Sequence, residues 1–471
     1  MPLRSIAFLL YFFGSAGASL LVPIAGVLCY IVLYNVYPQS TWWGKYLEPL
    51  GIRYAYVIAA CLTVGVIVNL NRLRYGRQVA HPVEWGMLLV FLSMLMSGVT
   101  GVAWNERTDF VIDKMWKVFL FAFMMSHVVV TRRHVWLLLI VFTVMSLYLG
   151  YEAKNAPPGA FLQNRLDGIG GPDFRESTGL AIHLLALLPF TAVLLWQKYW
   201  RFRVLAFFAA CYGVNAILLC RARSAFIAGL VAGLTAVWYV PRRYRSWAAC
   251  VLVLGLLGSV KLSDQWFWER MKTIVSSREE REVSSAARLL IWASAWEMIK
   301  DRPLGVGIGQ FQRMTNRYTT PELRRIYGNP ATESVNMIAR DAHNSFILCA
   351  AETGIPGLAC FLLTLIMAWG TLSRLRRRAR RYLSDPAMFE MLVFANRMAL
   401  LVYLVGGMFT SRFYTEGFWW MVILPVCLKR AVENEIRDEV CEKATVRALL
   451  DDWIPRGDRL QPELVMGGQP A

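Results

Sequence analysis

D-A-H-N-S-F-I-L-C-A-A-E-T-G-I-P-G, residues 341–357, closes a long polar segment and opens an apolar run, which places it where water meets lipid. A helix read from Asn344 is stopped at Gly354, and Pro356 with Gly357 restarts a helix that continues to about Ser373. The expectation is a broken helix at a membrane surface. Irregular backbone survives there only where protein or a water-filled cavity satisfies the freed groups, so the break predicts a lined site with His343 at its entrance.

Outward from this stretch, composition fixes the class. The chain has 471 residues, 56% of them hydrophobic. Apolar segments fall near 6–36, 53–70, 83–103, 110–130, 135–150, 177–196, 203–220, 224–240, 246–262, 356–373, 391–410 and 416–430. Most have the length that crosses roughly 30 Å of hydrocarbon. The expected fold is an all-α polytopic membrane protein of about 12 transmembrane helices. Residues 6–36 are too long for one straight span, and Pro23 makes them either a kinked crossing or a short hairpin. We divide the chain into an N-terminal transmembrane region (1–176), a second region (177–430) that contains the loop 263–355, and a C-terminal tail (431–471).

The formal net charge is +18, but the basic residues cluster in short links between apolar runs, where membrane orientation explains them and nucleic-acid binding is not expected. Arg74 and Arg77, Arg132 and Arg133, Lys198 to Arg203, Arg242 to Arg245 and the run Arg374 to Arg381 fall on one side if residues 6–36 cross once. The positive-inside rule makes that side cytoplasmic. The large loop 263–355, which should contain helices, is then periplasmic in a bacterial inner membrane. Nine cysteines lie mostly in apolar runs without C-x-x-C spacing, so neither a disulfide framework nor a cysteine metal site is indicated.

Elimination narrows the chemistry. Of five histidines, His81, His127 and His134 lie near cytoplasmic helix ends, His183 lies inside a span, and His343 alone falls in the outward loop. Asp341, two residues earlier, is placed to orient its imidazole. The hairpin link holding Arg221 and Arg223 puts two guanidinium groups on the side the positive-inside rule disfavours. Beside the helix N-terminus at Ser224 they can form a phosphate site, or they can snorkel to lipid headgroups. Arg288 lies on a loop helix read over Ser284 to Lys300, where a surface salt bridge is the plainer alternative. Lys114 and Lys117 share a helix face near the outward end of a span and either face an anionic-lipid pocket or reach headgroups. Glu352, nine residues from His343, falls on the opposite helix face and suits closing the Gly354 turn. Pro303 to Gly309 reads as a glycine-rich turn, since no strand leads into it.

These residues resemble a known family. H-N-S-F-I-L-C-A-A-E-T-G at 343–354 is similar to the H-N-x-x-L and E-x-G signature of the O-antigen ligase and O-antigen polymerase superfamily. R-S-A-F-I-A-G-L at 223–230 resembles its S-R-G-A motif, with Ala222 where the motif has Ser. R-L-L-I-W at 288–292 and P-L-G-V-G at 303–307 resemble its R-x-x-x-W helix and P-x-G-x-G turn. The first half more loosely resembles O-glycosylation ligases associated with exosortase systems. The resemblance implies metal-independent and cofactor-free transfer of a glycan from undecaprenyl diphosphate to a protein or lipid acceptor hydroxyl at the periplasmic face. It implies His343 as the catalytic residue and Arg223 and Arg288 as diphosphate contacts; from the reading of the residues themselves, Arg221 joins the diphosphate contacts, and Asn344, Asp341, Lys114, Lys117 and Glu352 are expected to support the site. A polymerase of the same superfamily is the alternative within it. A lipid or glycan transporter is the alternative from another class, and a proton-coupled one should carry carboxylates near the midplane rather than charges at the outward ends.

Overall fold

The computed structural model describes residues 1–70, 80–240, 242, 245–262, 265–272, 283–327 and 341–453. Arg74, Arg77 and the end of the C-terminal tail lie outside the described residues. Among the described residues the fold is all-α, apart from one two-stranded hairpin, β1 (Phe161–Leu162) and β2 (Arg165–Leu166). Helices α1 (Leu3–Leu21), α2 (Ile24–Val36), α3 (Tyr54–Val68), α4 (Pro82–Thr100), α5 (Glu106–Val128) and α6 (Arg132–Lys154) precede the hairpin. After it come α7 (Ser177–Leu195), α8 (Trp200–Leu219), α9 (Arg223–Tyr239) and α10 (Arg245–Leu262). The large loop contributes α11 (Gln265–Lys272), α12 (Val283–Asp301), α13 (Phe311–Tyr318) and α14 (Pro321–Tyr327). Three long helices, α15 (Ser345–Tyr382), α16 (Ala387–Gly407) and α17 (Glu416–Trp453), complete the chain.

Among the described residues seven helices are long and apolar enough to cross a membrane, or eight if the bent pair Gly44–Leu50 and Tyr54–Val68 counts as one span. The protein is a multi-pass membrane protein. Helices α2, α5, α9, α10 and α17 cover further expected segments but are not among the seven. Helix α2 has only 13 residues, and α5 carries Asp113, Lys114 and Lys117 within its apolar length.

Residues 6–36 form a helical hairpin. The Ser5 hydroxyl donates to the Trp43 carbonyl at 2.8 Å, and the rings of Phe8 and Trp43 lie 5.4 Å apart. A single kinked helix would hold Ser5 about 45 Å from Val36, farther than the seven residues from Val36 to Trp43 can reach. Both termini of the hairpin therefore lie on one side. Helix α3 runs parallel to α1, because Tyr54 packs on Phe8 and Phe12 while Asn69 donates to the Leu20 carbonyl at 2.9 Å.

The links gather at two ends of the bundle. At one end Val102 donates to the Val306 carbonyl, Arg412 to that of Asp173, Arg221 to that of Asn164, and Asn344 to that of Met408. At the other end Arg132 pairs with Asp385 and Glu435, Arg378 with Glu433, and Asn434 donates to the Val130 carbonyl. We call these the His343 face and the arginine face. Helix α17 passes from the last apolar segment into the tail without a break at residue 430, and Glu433 and Glu435 neutralise the arginine-rich links. Cysteines at Gln39 and Thr320 should be labelled from the same side as a cysteine added at the N-terminus, and one at Ser384 from the opposite side. Labelling of the N-terminus together with Ser384 would overturn the hairpin.

Helix α15 is broken at Gly354 (φ 72°, ψ −176°), followed by Pro356. The glycine-rich turn satisfies the freed groups: Ile355 donates to the Pro303 carbonyl at 2.9 Å, and Val306 to that of Ala351 at 2.9 Å. Gly305 and Gly354 face each other so closely that a Cβ on Gly354 would sit 2.4 Å from the Pro303 oxygen. The Ser97 hydroxyl donates to the Glu352 carbonyl from α4, and Thr108 on α5 donates to that of Ile308 at 2.9 Å. The loop is thus bolted to three helices. Gly354→Ala combines a backbone region nearly exclusive to glycine with a backbone clash, so it should cost at least about 3 kcal/mol. Thermal unfolding in detergent should show a clear fall in midpoint, and an unchanged midpoint would mean the turn can open without loss.

Candidate active site

His343 precedes α15 with φ 48°, a left-handed conformation uncommon outside glycine and often found at functional sites. Local chemistry holds it there. The Asn344 side chain caps α15 by accepting from Phe346 and Ile347 at 2.9 and 3.1 Å, and its amide donates to the Met408 carbonyl at 3.0 Å. Ser345 donates to the Thr410 carbonyl at 3.0 Å, so the helix start is docked on the α16–α17 link. On the other side, the Trp292 indole of α12 donates to the Ala342 carbonyl at 2.9 Å. Arg288 lies one turn before Trp292 on the same helix face, and its charge acts on His343.

Asp341 contacts both the backbone and the ring of His343. Its Oδ2 accepts the backbone N–H of His343 at 3.3 Å and lies 3.7 Å from Nδ1, so it fixes the backbone more directly than the ring. The imidazole is 39% exposed and leaves Nε2 for a ligand. Burial holds the His343 pKa below its ordinary value; the Asp341 carboxylate opposes this, Arg288 reinforces it, Glu176 opposes and Arg412 reinforces.

Sequence reading missed Arg412. It is 4% exposed and pairs with Glu176, and it donates to Thr410 Oγ1 at 2.8 Å and to the Asp173 carbonyl at 2.7 Å. The signal was the one used for Arg221 and Arg223: an arginine in a short link on the side where the positive-inside rule disfavours it. Lys114 belongs to the same network through its ion pair with Asp173, which also accepts from Tyr34 at 3.0 Å and from the Glu416 N–H at 2.9 Å.

A cavity of about 220 Å³ lies beside the site, lined by Arg107, Lys114, Gln312, Asp341, Glu352 and Tyr414 among others. Glu352 is 2% exposed and accepts from the Phe311 N–H at 2.9 Å and from the Tyr414 hydroxyl. It closes the wall between turn and helix. Lys117 does not line this cavity; it is bound to Asp113 and the Tyr56 hydroxyl. Arg221, also left-handed at φ 45°, is buried and donates to the Asn164 carbonyl of the β-hairpin. Arg223 opens α9 on the same face.

Residues 208–362 match the family model described as O-Antigen ligase. The stretch contains Arg221, Arg223, Arg288, His343 and Glu352 and leaves out Lys114 and Arg412. This supports the O-antigen ligase superfamily, a class of membrane glycan enzymes, for the part of the chain that carries the site. No curated protein matches the chain.

Proposed function

We propose that the protein is a membrane glycan ligase that moves an oligo- or polysaccharide from undecaprenyl diphosphate to an acceptor hydroxyl on a protein or lipid, at the periplasmic face of a bacterial inner membrane. The observation that carries this reading is His343, held left-handed beside Asp341, which lines the neighbouring cavity, and acted on by the charges of Arg288 and Arg412, inside the stretch matched by the family model. His343 Nε2 takes the proton from the acceptor hydroxyl as its oxygen attacks the anomeric carbon, and the bond from that carbon to the diphosphate oxygen breaks. Undecaprenyl diphosphate leaves with the bonding electrons. Arg288 and Arg223 neutralise its growing charge, which guanidinium groups do without proton transfer. Arg412 is committed to Glu176 and Thr410, and its part is to hold the site's shape.

Purified protein supplied with lipid-linked glycan should release undecaprenyl diphosphate only when an acceptor is present, and a chelator should leave the rate unchanged. Release without an acceptor, together with a longer lipid-linked glycan, would make the protein a polymerase. No release under either condition would overturn glycan transfer.

A further inference from the structure

On the arginine face, far from His343, a second cavity of about 560 Å³ opens between the start of α6, the α7–α8 link and the start of α16. Its rim carries Arg133, Lys198, Trp196 and Tyr199, while Trp136, Val193 and Met391 provide an apolar wall. Arg132 and Asp385 also line it and neutralise each other at 2.7 Å, with Glu435 2.9 Å from Arg132. Arg133 and Lys198 are exposed, and neither has a carboxylate partner among the described residues. The rim is built rather than loose: Arg203 Nε donates to the Gln197 carbonyl at 2.6 Å and folds the link, and Phe202 packs edge-on against Trp136 at 5.2 Å.

We infer that this cavity binds an anionic phospholipid from the leaflet bordering the arginine face. Two cations without carboxylate partners favour a phosphate. The apolar wall beside them has no use for a free inorganic anion, but it suits the glycerol and first acyl carbons of a lipid. Tryptophan and tyrosine at the rim match the residues that settle at headgroup level. Basic pockets between membrane helices are a recurring headgroup site, each cation near the surface strengthening binding by roughly fivefold. The inference does not depend on the proposed glycan transfer.

The test uses the full chain, purified in neutral detergent, stripped of lipid and analysed by native mass spectrometry with added phosphatidylglycerol or phosphatidylcholine. Phosphatidylglycerol should be retained preferentially, and Arg133→Gln with Lys198→Gln should weaken its retention about thirtyfold while leaving phosphatidylcholine unchanged. Both residues are exposed, and Lys198→Gln alone, in a surface link, guards against a folding defect and should cost about fivefold. Equal retention of the two lipids by the unaltered protein, or undiminished phosphatidylglycerol binding by the double variant, would overturn the site. Displacement of the lipid by millimolar inorganic phosphate would overturn the lipid reading in favour of a simple anion site.

Discussion

His343→Ala should retain the lipid-linked donor but transfer its glycan about 10²–10⁴-fold more slowly, the usual contribution of a positioned general base. Two readouts separate this from a folding effect. His343→Asn should lose transfer equally although asparagine tolerates the left-handed backbone at this position, so backbone strain cannot be the cause. The pH profile supplies the second. Because burial, Arg288 and Arg412 hold the imidazole below its ordinary value of 6.5, the neutral base persists to lower pH than a free imidazole would. Transfer should therefore be flat through neutrality and fall only as pH drops through the lowered pKa, below 6.5. Residual activity in His343→Ala should lack that limb. Normal transfer by either variant would remove His343 as the base.

The broken helix was legible because its causes are local: Asn344 caps, Gly354 alone tolerates the observed backbone, and Pro356 cannot continue the first helix. The helical hairpin at the N-terminus was not, since Pro23 fits a kink and a hairpin equally. What decides between them is the contact of Ser5 and Phe8 with Trp43, which no helical periodicity announces. Site residues divide in the same way. His343 stood out by elimination, whereas Arg412 takes its meaning from Glu176 and Asp173, supplied by another link more than two hundred residues away. Lys114 and Lys117 share a helix face as their spacing required, yet their partners separate them: Asp173 draws one into the site network, and Asp113 holds the other outside the cavity. Periodicity gives the face of a helix but not what stands opposite it.

Arg288→Ala and Arg223→Ala should each weaken use of the lipid-linked donor by roughly 10- to 150-fold, the range for losing a hydrogen bond to a charged group. Arg288 is the more telling of the two. It lies on the face that Trp292 clamps against Ala342, and its charge already acts on His343, so it can reach a diphosphate whose sugar presents its anomeric carbon to the acceptor oxygen beside that histidine. Its removal should slow single-turnover release of undecaprenyl diphosphate and also raise the His343 pKa, moving the acid limb of the pH profile upward. Arg223→Ala should likewise slow release of undecaprenyl diphosphate. Lysine should rescue either position only in part, because a point charge cannot reproduce the bidentate fork that guanidinium offers to phosphate oxygens. Full rescue by lysine would mean that the site reads charge alone. Unchanged donor use in both alanine variants would mean that the diphosphate is held elsewhere, with Arg107 and Lys114 of the neighbouring cavity the next cations to replace.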